Sequence, residues 1–223
     1  MRLLEIACFN EESIAKACKN GADRLELCNE MSVGGITPSE SMIEFANGYD
    51  IVKYVMIRPR GGNFTYTEEE FEQMKTSISQ LKNKKINGFV FGVLTNDCKV
   101  DKIKNKELLK IAYPLPCTFH KAFDEISDYK QALVDCINCG FENVLTSGTK
   151  KTALEGKSIL KELIELANNK INIIVAGGVR SSNISELNKF LNATHYHSAA
   201  IMQKGMSSAD EKEIASLKKL LNE

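Results

Sequence analysis

The sequence predicts a single-domain (β/α)8 TIM barrel spanning residues 1–223, with a closing helix over 207–223. Two observations carry this reading. Eight short apolar runs are spread along the 223 residues, and amphipathic stretches separate them in strict alternation. Such alternation lays parallel strands side by side through crossover helices. A third observation is negative. Ala7 leads into CFNEES with no G-x-G-x-x-G, so the first strand lacks the signal of an open dinucleotide-binding sheet.

The strands are expected at 3–7 (LLEIA), 24–28 (RLELC), 54–57 (YVMI), 88–93 (GFVFGV), 117–120 (CTFH), 143–147 (NVLTS), 171–176 (INIIVA) and 194–197 (THYH). Thr67 with Glu70 three residues on is a capping box that opens a helix into TEEEFEQMKTSISQLKN. Thr152 with Glu155 predicts the same over 152–169, and Ser182 or Asn183 caps the stretch 181–191. In SADEKEIASLKKLL, acids in the first turn and lysines near the end suit the helix dipole.

Bulk composition narrows the function. Hydrophobic residues make up 43% of the chain, enough for a sizeable core. Lysine plus arginine equals aspartate plus glutamate, 29 against 29, so no basic field for nucleic acid or an anionic membrane is expected. MRLLEIACFNEE does not read as an export signal, and no apolar run reaches about 18 residues. Seven scattered cysteines read as reduced thiols of a cytoplasmic protein. Cys136-x-x-Cys139 has no second pair to complete a zinc site and reads as buried helix thiols.

Strand side chains alternate between two faces. With the aliphatic positions turned toward the helices, Glu5, Arg24, Glu26, Cys28, Met56, Arg58, His120, His195 and His197 point toward the barrel axis. Most lie near the C-terminal ends of their strands, where barrel enzymes place their sites. Burying so many ionisable groups for packing alone is costly, since each needs a partner. Glu5 or Glu26 paired with Arg58 as a structural ion pair, and His120 as a satisfied core histidine, are the plainer readings. Gly61 and Gly62 let the next loop fold close over Arg58. Gly177-Gly178 after the seventh run, and Thr146-Ser147-Gly148 after the sixth, suit a backbone cradle for an anion.

The segments LLEIAC, GADRLELC, GGITPS, MIRPRGGNFTYTEEEFE, FVFGVLT, LPCTFHKAFD, VLTSG, ALEG, AGGVR and HYHSAA run in order from residue 3 to 200. Together they resemble the CutC family of copper homeostasis proteins. The resemblance implies a TIM barrel, a cytoplasmic location, a homo-oligomer with a dimer favoured, and Cu(I) bound through cysteines. It carries over Glu5, Glu26, Cys28, Arg58, Arg60, His120, Asp124, Ser147 and His197. Cys28 and Cys8 are the implied metal ligands. Ala7 stands where some members place an inward cysteine, and Lys121 where arginine is common.

Three functions follow as expectations. One is copper homeostasis through Cu(I) at Cys28, with Cys8 or Met56 second. Another is an enzyme for a small anionic or phosphorylated substrate. In it Arg58, Arg60, Ser147, Gly177 and Gly178 hold the anion. Glu26 and His120 move protons, with Glu5 or Asp124 setting the histidine tautomer and His197 beside them. The third is a non-catalytic scaffold working through its oligomer interface.

Overall fold

In the computed structural model, which describes residues 2–203 and 205–223, eight parallel strands close on themselves. They are β1 (Leu3–Cys8), β2 (Arg24–Leu27), β3 (Val52–Met56), β4 (Gly88–Phe91), β5 (Cys117–Phe119), β6 (Asn143–Thr146), β7 (Asn172–Val175) and β8 (His195–Ser198). Each pairs with the next, and β8 pairs back to β1. The helices are α1 (Glu11–Lys19), α2 (Glu40–Ala46), α3 (Glu68–Leu81), α4 (Lys102–Ala112), α5 (Tyr129–Cys139), α6 (Lys157–Ala167), α7 (Ile184–Leu191) and α8 (Glu211–Asn222). Among the described residues, no helix is long and apolar enough to cross a membrane.

The main core lies between strands and helices. Leu4, Ile6, Leu25, Leu27, Val55, Ile57, Phe119 and Tyr196 are all in it, as the alternation predicts. Phe71, Met74, Ile78 and Leu81 form the buried stripe of α3, spaced by three or four residues to face one side. The capping box of α3 is complete. The Glu70 N–H donates to the Thr67 hydroxyl (3.2 Å), and the Thr67 N–H donates to the Glu70 carboxylate (2.9 Å). The closing helix α8 is tied to the start of the barrel. Lys218 meets Asp23 at 2.6 Å, and Arg2 donates to the Leu221 carbonyl.

Two helix starts differ from expectation. Thr152 does accept from the Glu155 N–H (3.2 Å), but that turn stays short and α6 begins at Lys157. The intervening segment is pressed onto the strand ends. Ala153 N–H donates to the Gly177 carbonyl (2.8 Å), and a Cβ on Gly156 would lie 1.9 Å from the Ser147 carbonyl oxygen. Asn183 precedes α7 without capping it. Its side chain accepts from the Arg180 N–H and donates to the Gly178 carbonyl, both at 2.9 Å, so it closes the preceding turn.

Candidate active site at the barrel mouth

Strand register brings the acid–base cluster together. Glu5 on β1 is level with Arg24 on β2 and with His197 on β8, and Ala7 is level with Glu26. The Glu5 carboxylate therefore sits between two donors, the Arg24 Nε–H and His197 Nδ1 (2.7 Å). Burial pushes the Glu5 carboxyl up, but the Arg24 charge and the His197 hydrogen bond outweigh it and bring it down to about 2. Glu5 is thus an ionised acceptor, which places a hydrogen on His197 Nδ1. His197 Nε2 faces the Glu26 carboxylate at 3.8 Å, an ion-pair separation too long for a hydrogen bond.

Glu26 and His197 are both pushed up. Burial raises Glu26, with the nearby Glu5 charge adding to it against the pull of His197. Burial lowers His197, but the Glu26 and Glu5 carboxylates reverse this and leave it raised. A carboxyl pushed up beside an imidazole pushed up is a coupled pair that can pass a proton between its members.

Across the mouth, Arg58 follows β3 and His120 follows β5. Arg58 is buried, and its two Nη groups donate to the carbonyls of Val33 (2.8 Å), Gly35 (2.9 Å) and Gly62 (2.7 Å). It thereby stitches the loop after β2 to the loop after β3. Gly61 makes this possible, since a Cβ there would lie 2.5 Å from Val33 Cβ. The Arg58 guanidinium lies over the Phe64 ring, 4.7 Å from its centroid, and its Nε has no partner. His120 is also buried. Its Nδ1 accepts from the Ala122 N–H (3.3 Å), and its Nε2 has no partner. Burial, aided by the Arg58 charge, lowers His120 to about 3, so the ring is neutral.

These groups line one cavity of about 120 Å³. Glu26, Arg58, His120, Lys121 and His197 supply its polar wall, and Phe9, Met56, Phe64 and Leu145 its apolar wall. Glu5 lies beneath it, behind His197. The other expected anion-binding residues are not in this cavity, and each has structural work elsewhere. Arg60 forms a fork with the Glu70 carboxylate (2.6 and 3.1 Å) and donates to the carbonyls of Asn63 and Thr65. Ser147 gives its hydroxyl to Asp124 (2.8 Å). Asp124 also accepts from the Thr146 hydroxyl and the N–H groups of Ser147 and Thr149, so it anchors the loop after β6 rather than setting a histidine tautomer. Gly177 has φ +96°, and a Cβ there would lie 2.6 Å from Ser147 Cβ. The carbonyls of Gly177 and Gly178 accept from the Ala153 N–H and the Asn183 amide.

The implied Cu(I) ligands do not converge either. Cys8 ends a regular strand, faces the helix layer and lies against the Ile6 carbonyl at 3.6 Å. Cys28 faces inward, packed with Met56, Tyr54, Val90 and Phe9. The two thiols are thus on opposite faces of the barrel wall. Burial and the Glu26 charge push the Cys28 thiol well up, which disfavours the thiolate that a soft metal needs. Among the described residues, no group of three or more His, Cys, Asp or Glu could hold a metal ion. This donor set does not fit a two-thiolate Cu(I) site. Cys136 and Cys139, one buried and one half-buried on α5, are pushed up by burial as structural thiols.

Several site residues escape the sequence reading. Arg24 is identified as inward, but its pairing with Glu5 depends on register. Lys121, at the start of a 3-10 turn (Lys121–Glu125), and Phe9 and Phe64, from loops, reach the cavity outside the strands, where strand parity does not apply. The adjacency of Lys121 to His120, and the family position where arginine is common, are the signals that point to Lys121.

The family model for CutC matches residues 2–202. The chain belongs to the CutC family. It is 42% identical to the human copper homeostasis protein cutC homolog, over 89% of this chain and 73% of that one. The Caenorhabditis elegans protein of the same name is 39% identical over 90% of this chain and 81% of that one. A solved structure of CutC from Streptococcus agalactiae superposes with a TM-score of 0.85 at 34% identity, covering 89% of this chain and 99% of that one. Phosphoribosyl anthranilate isomerase from Thermotoga maritima, 13% identical with a TM-score of 0.63 over 100% of this chain and 99% of that one, shares the fold alone with this CutC chain.

Proposed function

We propose that the barrel mouth of this CutC chain is a catalytic site for proton transfer on a small anionic substrate. The observation that carries this reading is the row Glu5–His197–Glu26. A permanently ionised carboxylate holds one imidazole nitrogen at 2.7 Å, and a carboxyl of raised pKa faces the other at 3.8 Å. Glu26 and His197 form the acid–base couple, and Glu5 orients and charges the imidazole. Lys121 supplies the cation. Lys121 lines the cavity, and its ammonium is held by Ser147 (3.3 Å) and Asp124 (3.4 Å). Arg58 shapes the mouth by holding its two loops, and the apolar wall excludes water and strengthens each charge–dipole contact. Losing a positioned base costs roughly 10²–10⁴-fold in rate.

Copper homeostasis is the second reading, favoured by the names of the human and Caenorhabditis elegans relatives. Its local basis is Cys28 beside Met56, one thiol and one thioether facing the barrel interior. Native mass spectrometry of freshly purified protein separates the two readings and reports the subunit count, for which a dimer is expected. Catalysis at the mouth predicts a retained organic anion that Lys121→Ala loses. A retained copper ion that Cys28→Ala loses would instead favour the metal reading.

A further inference from the structure

Within the cavity, His120 has one committed nitrogen and one free one. The N–H of Ala122 points at Nδ1, so Nδ1 is the acceptor, and in a neutral ring the hydrogen is then on Nε2. That N–H is buried, has no partner in the protein, and belongs to a ring that lines the cavity and is only 3% exposed. A buried donor left unmade costs roughly 1–3 kcal/mol, so the site is built to give it an acceptor. Gly92 keeps the ring in place, since a Cβ there would lie 2.8 Å from His120 Nδ1. The Phe64 ring packs on it at 4.7 Å between centroids. His120 is therefore a fixed donor, not the proton carrier that its residue type suggests.

Resting on the acid–base reading of Glu26 and His197, we propose that the substrate is a short-chain 2-oxo acid and the reaction its enolisation, with His120 Nε2–H holding the carbonyl oxygen. Three groups around the cavity match the three parts of such a molecule. Lys121 takes the carboxylate. His120, its sequence neighbour, takes the adjacent carbonyl oxygen. Glu26, from β2, takes a proton from the next carbon. The C–H bond breaks as the proton passes to the Glu26 carboxylate. The C–H electron pair becomes a C=C bond, and the carbonyl π pair moves onto oxygen as an enolate that accepts the His120 hydrogen bond. Return of the proton to carbon restores the oxo acid, and its delivery to oxygen releases the enol. Nothing is oxidised or reduced. The cavity of about 120 Å³ gives the reacting end of a small ligand room between these groups. Neutral imidazole suits this role, since it donates to the enolate without giving up its proton.

The experiment uses the whole chain with two probes. One is oxalate, a planar dianion with the outline of the pyruvate enolate. The other is pyruvate itself in D2O. Histidine ¹⁵N spectra are expected to show His120 neutral with its hydrogen on Nε2 from about pH 5 to about pH 8, while His197 titrates above the ordinary histidine value. Oxalate should move the His120 Nε2 signal. His120→Ala should bind oxalate roughly 10–100-fold more weakly, and His120→Gln, which keeps an amide N–H near the same place, should recover part of the loss. Pyruvate methyl hydrogens should exchange with solvent, roughly 10²-fold more slowly in His120→Ala and not measurably in Glu26→Gln. A hydrogen on Nδ1, ordinary titration of His120, equal oxalate affinity in wild type and His120→Ala, or no pyruvate exchange would overturn the inference. The acid–base reading would survive those results if His197 and Glu26 still titrate as a coupled pair. Independent, ordinary titration of that pair would sink the reading itself. The wild-type spectra decide these points even if His120→Ala fails to fold.

Discussion

The two walls of the barrel interior are built on opposite plans. On the β8–β1–β2 side, Arg24, Glu5, His197 and Glu26 form one connected row of charge. On the β5–β6–β7 side, Thr118, Asn143 and Asn172 form a neutral ladder, with Asn172 donating to Asn143 (3.1 Å) and Asn143 to Thr118 (3.2 Å). Leu145, Ile174 and Ala176 form an apolar cluster on the same side. Charges that share a wall can neutralise one another, whereas a charge on the neutral wall would be stranded. Of the charged row, Glu26 and His197 line the cavity, and of the neutral side only Leu145 does.

The largest expected effect is on the charged wall. Glu5→Ala leaves Arg24 buried without its carboxylate, and urea denaturation should show a loss of about 3–5 kcal/mol. A loss below about 1 kcal/mol would mean that the row is not a structural unit.

Acidification acts through the same contrast. His120 protonates in the unfolded chain below about pH 6.5, but in the folded one only at about 3. The unfolded state binds more protons between these values, so stability falls as pH drops through that window. Glu5, held at about 2, adds loss at the acid end as pH falls toward that value. His197 has the opposite sign. Its pKa is raised, so its contribution is complete below the unfolded value and is lost as pH rises through the folded one. Urea midpoints measured at stepped pH should therefore fall on both flanks. His120→Gln should flatten the upper part of the acid limb and leave the alkaline flank unchanged.

Smaller effects are expected on and around the neutral wall. Gly177→Ala puts a Cβ at φ +96°, 2.6 Å from Ser147 Cβ, and should lower stability by at least about 1–2 kcal/mol. Thr118→Val removes the acceptor of the Asn143 amide at a cost of about 1 kcal/mol. The smallest effect belongs to Arg60→Ala. It loses a partly exposed fork to Glu70, worth about 0.2–1 kcal/mol, and should leave oxalate affinity unchanged. A marked loss of oxalate binding in Arg60→Ala would return that residue to the site.

Arg58 and Arg60 show what could be read in advance. They are two residues apart, carry the same charge and both follow β3. Parity aims the first inward and says nothing about the second, which is already in a loop. Even for Arg58 the direction was legible and the use was not. Its guanidinium meets carbonyls of Val33 and Gly35 from one loop and Gly62 from another, and no local pattern specifies that meeting. Cys8 and Cys28 divide the same way. Their opposite parity was visible, and a regular β1 keeps them on opposite faces.

The sequence by itself determined the eight-fold alternation, the inward set and the capping box of α3, because these follow from periods of two and 3.6 residues and from contacts within one turn. Only the tertiary structure decided that Glu5 lies between Arg24 and His197, that Asp124 and Ser147 are spent on a loop, and that His120 keeps an unpartnered Nε2. Those outcomes depend on the stagger of strands around a closed barrel and on where loops meet across its mouth, distances that no local stretch of chain encodes.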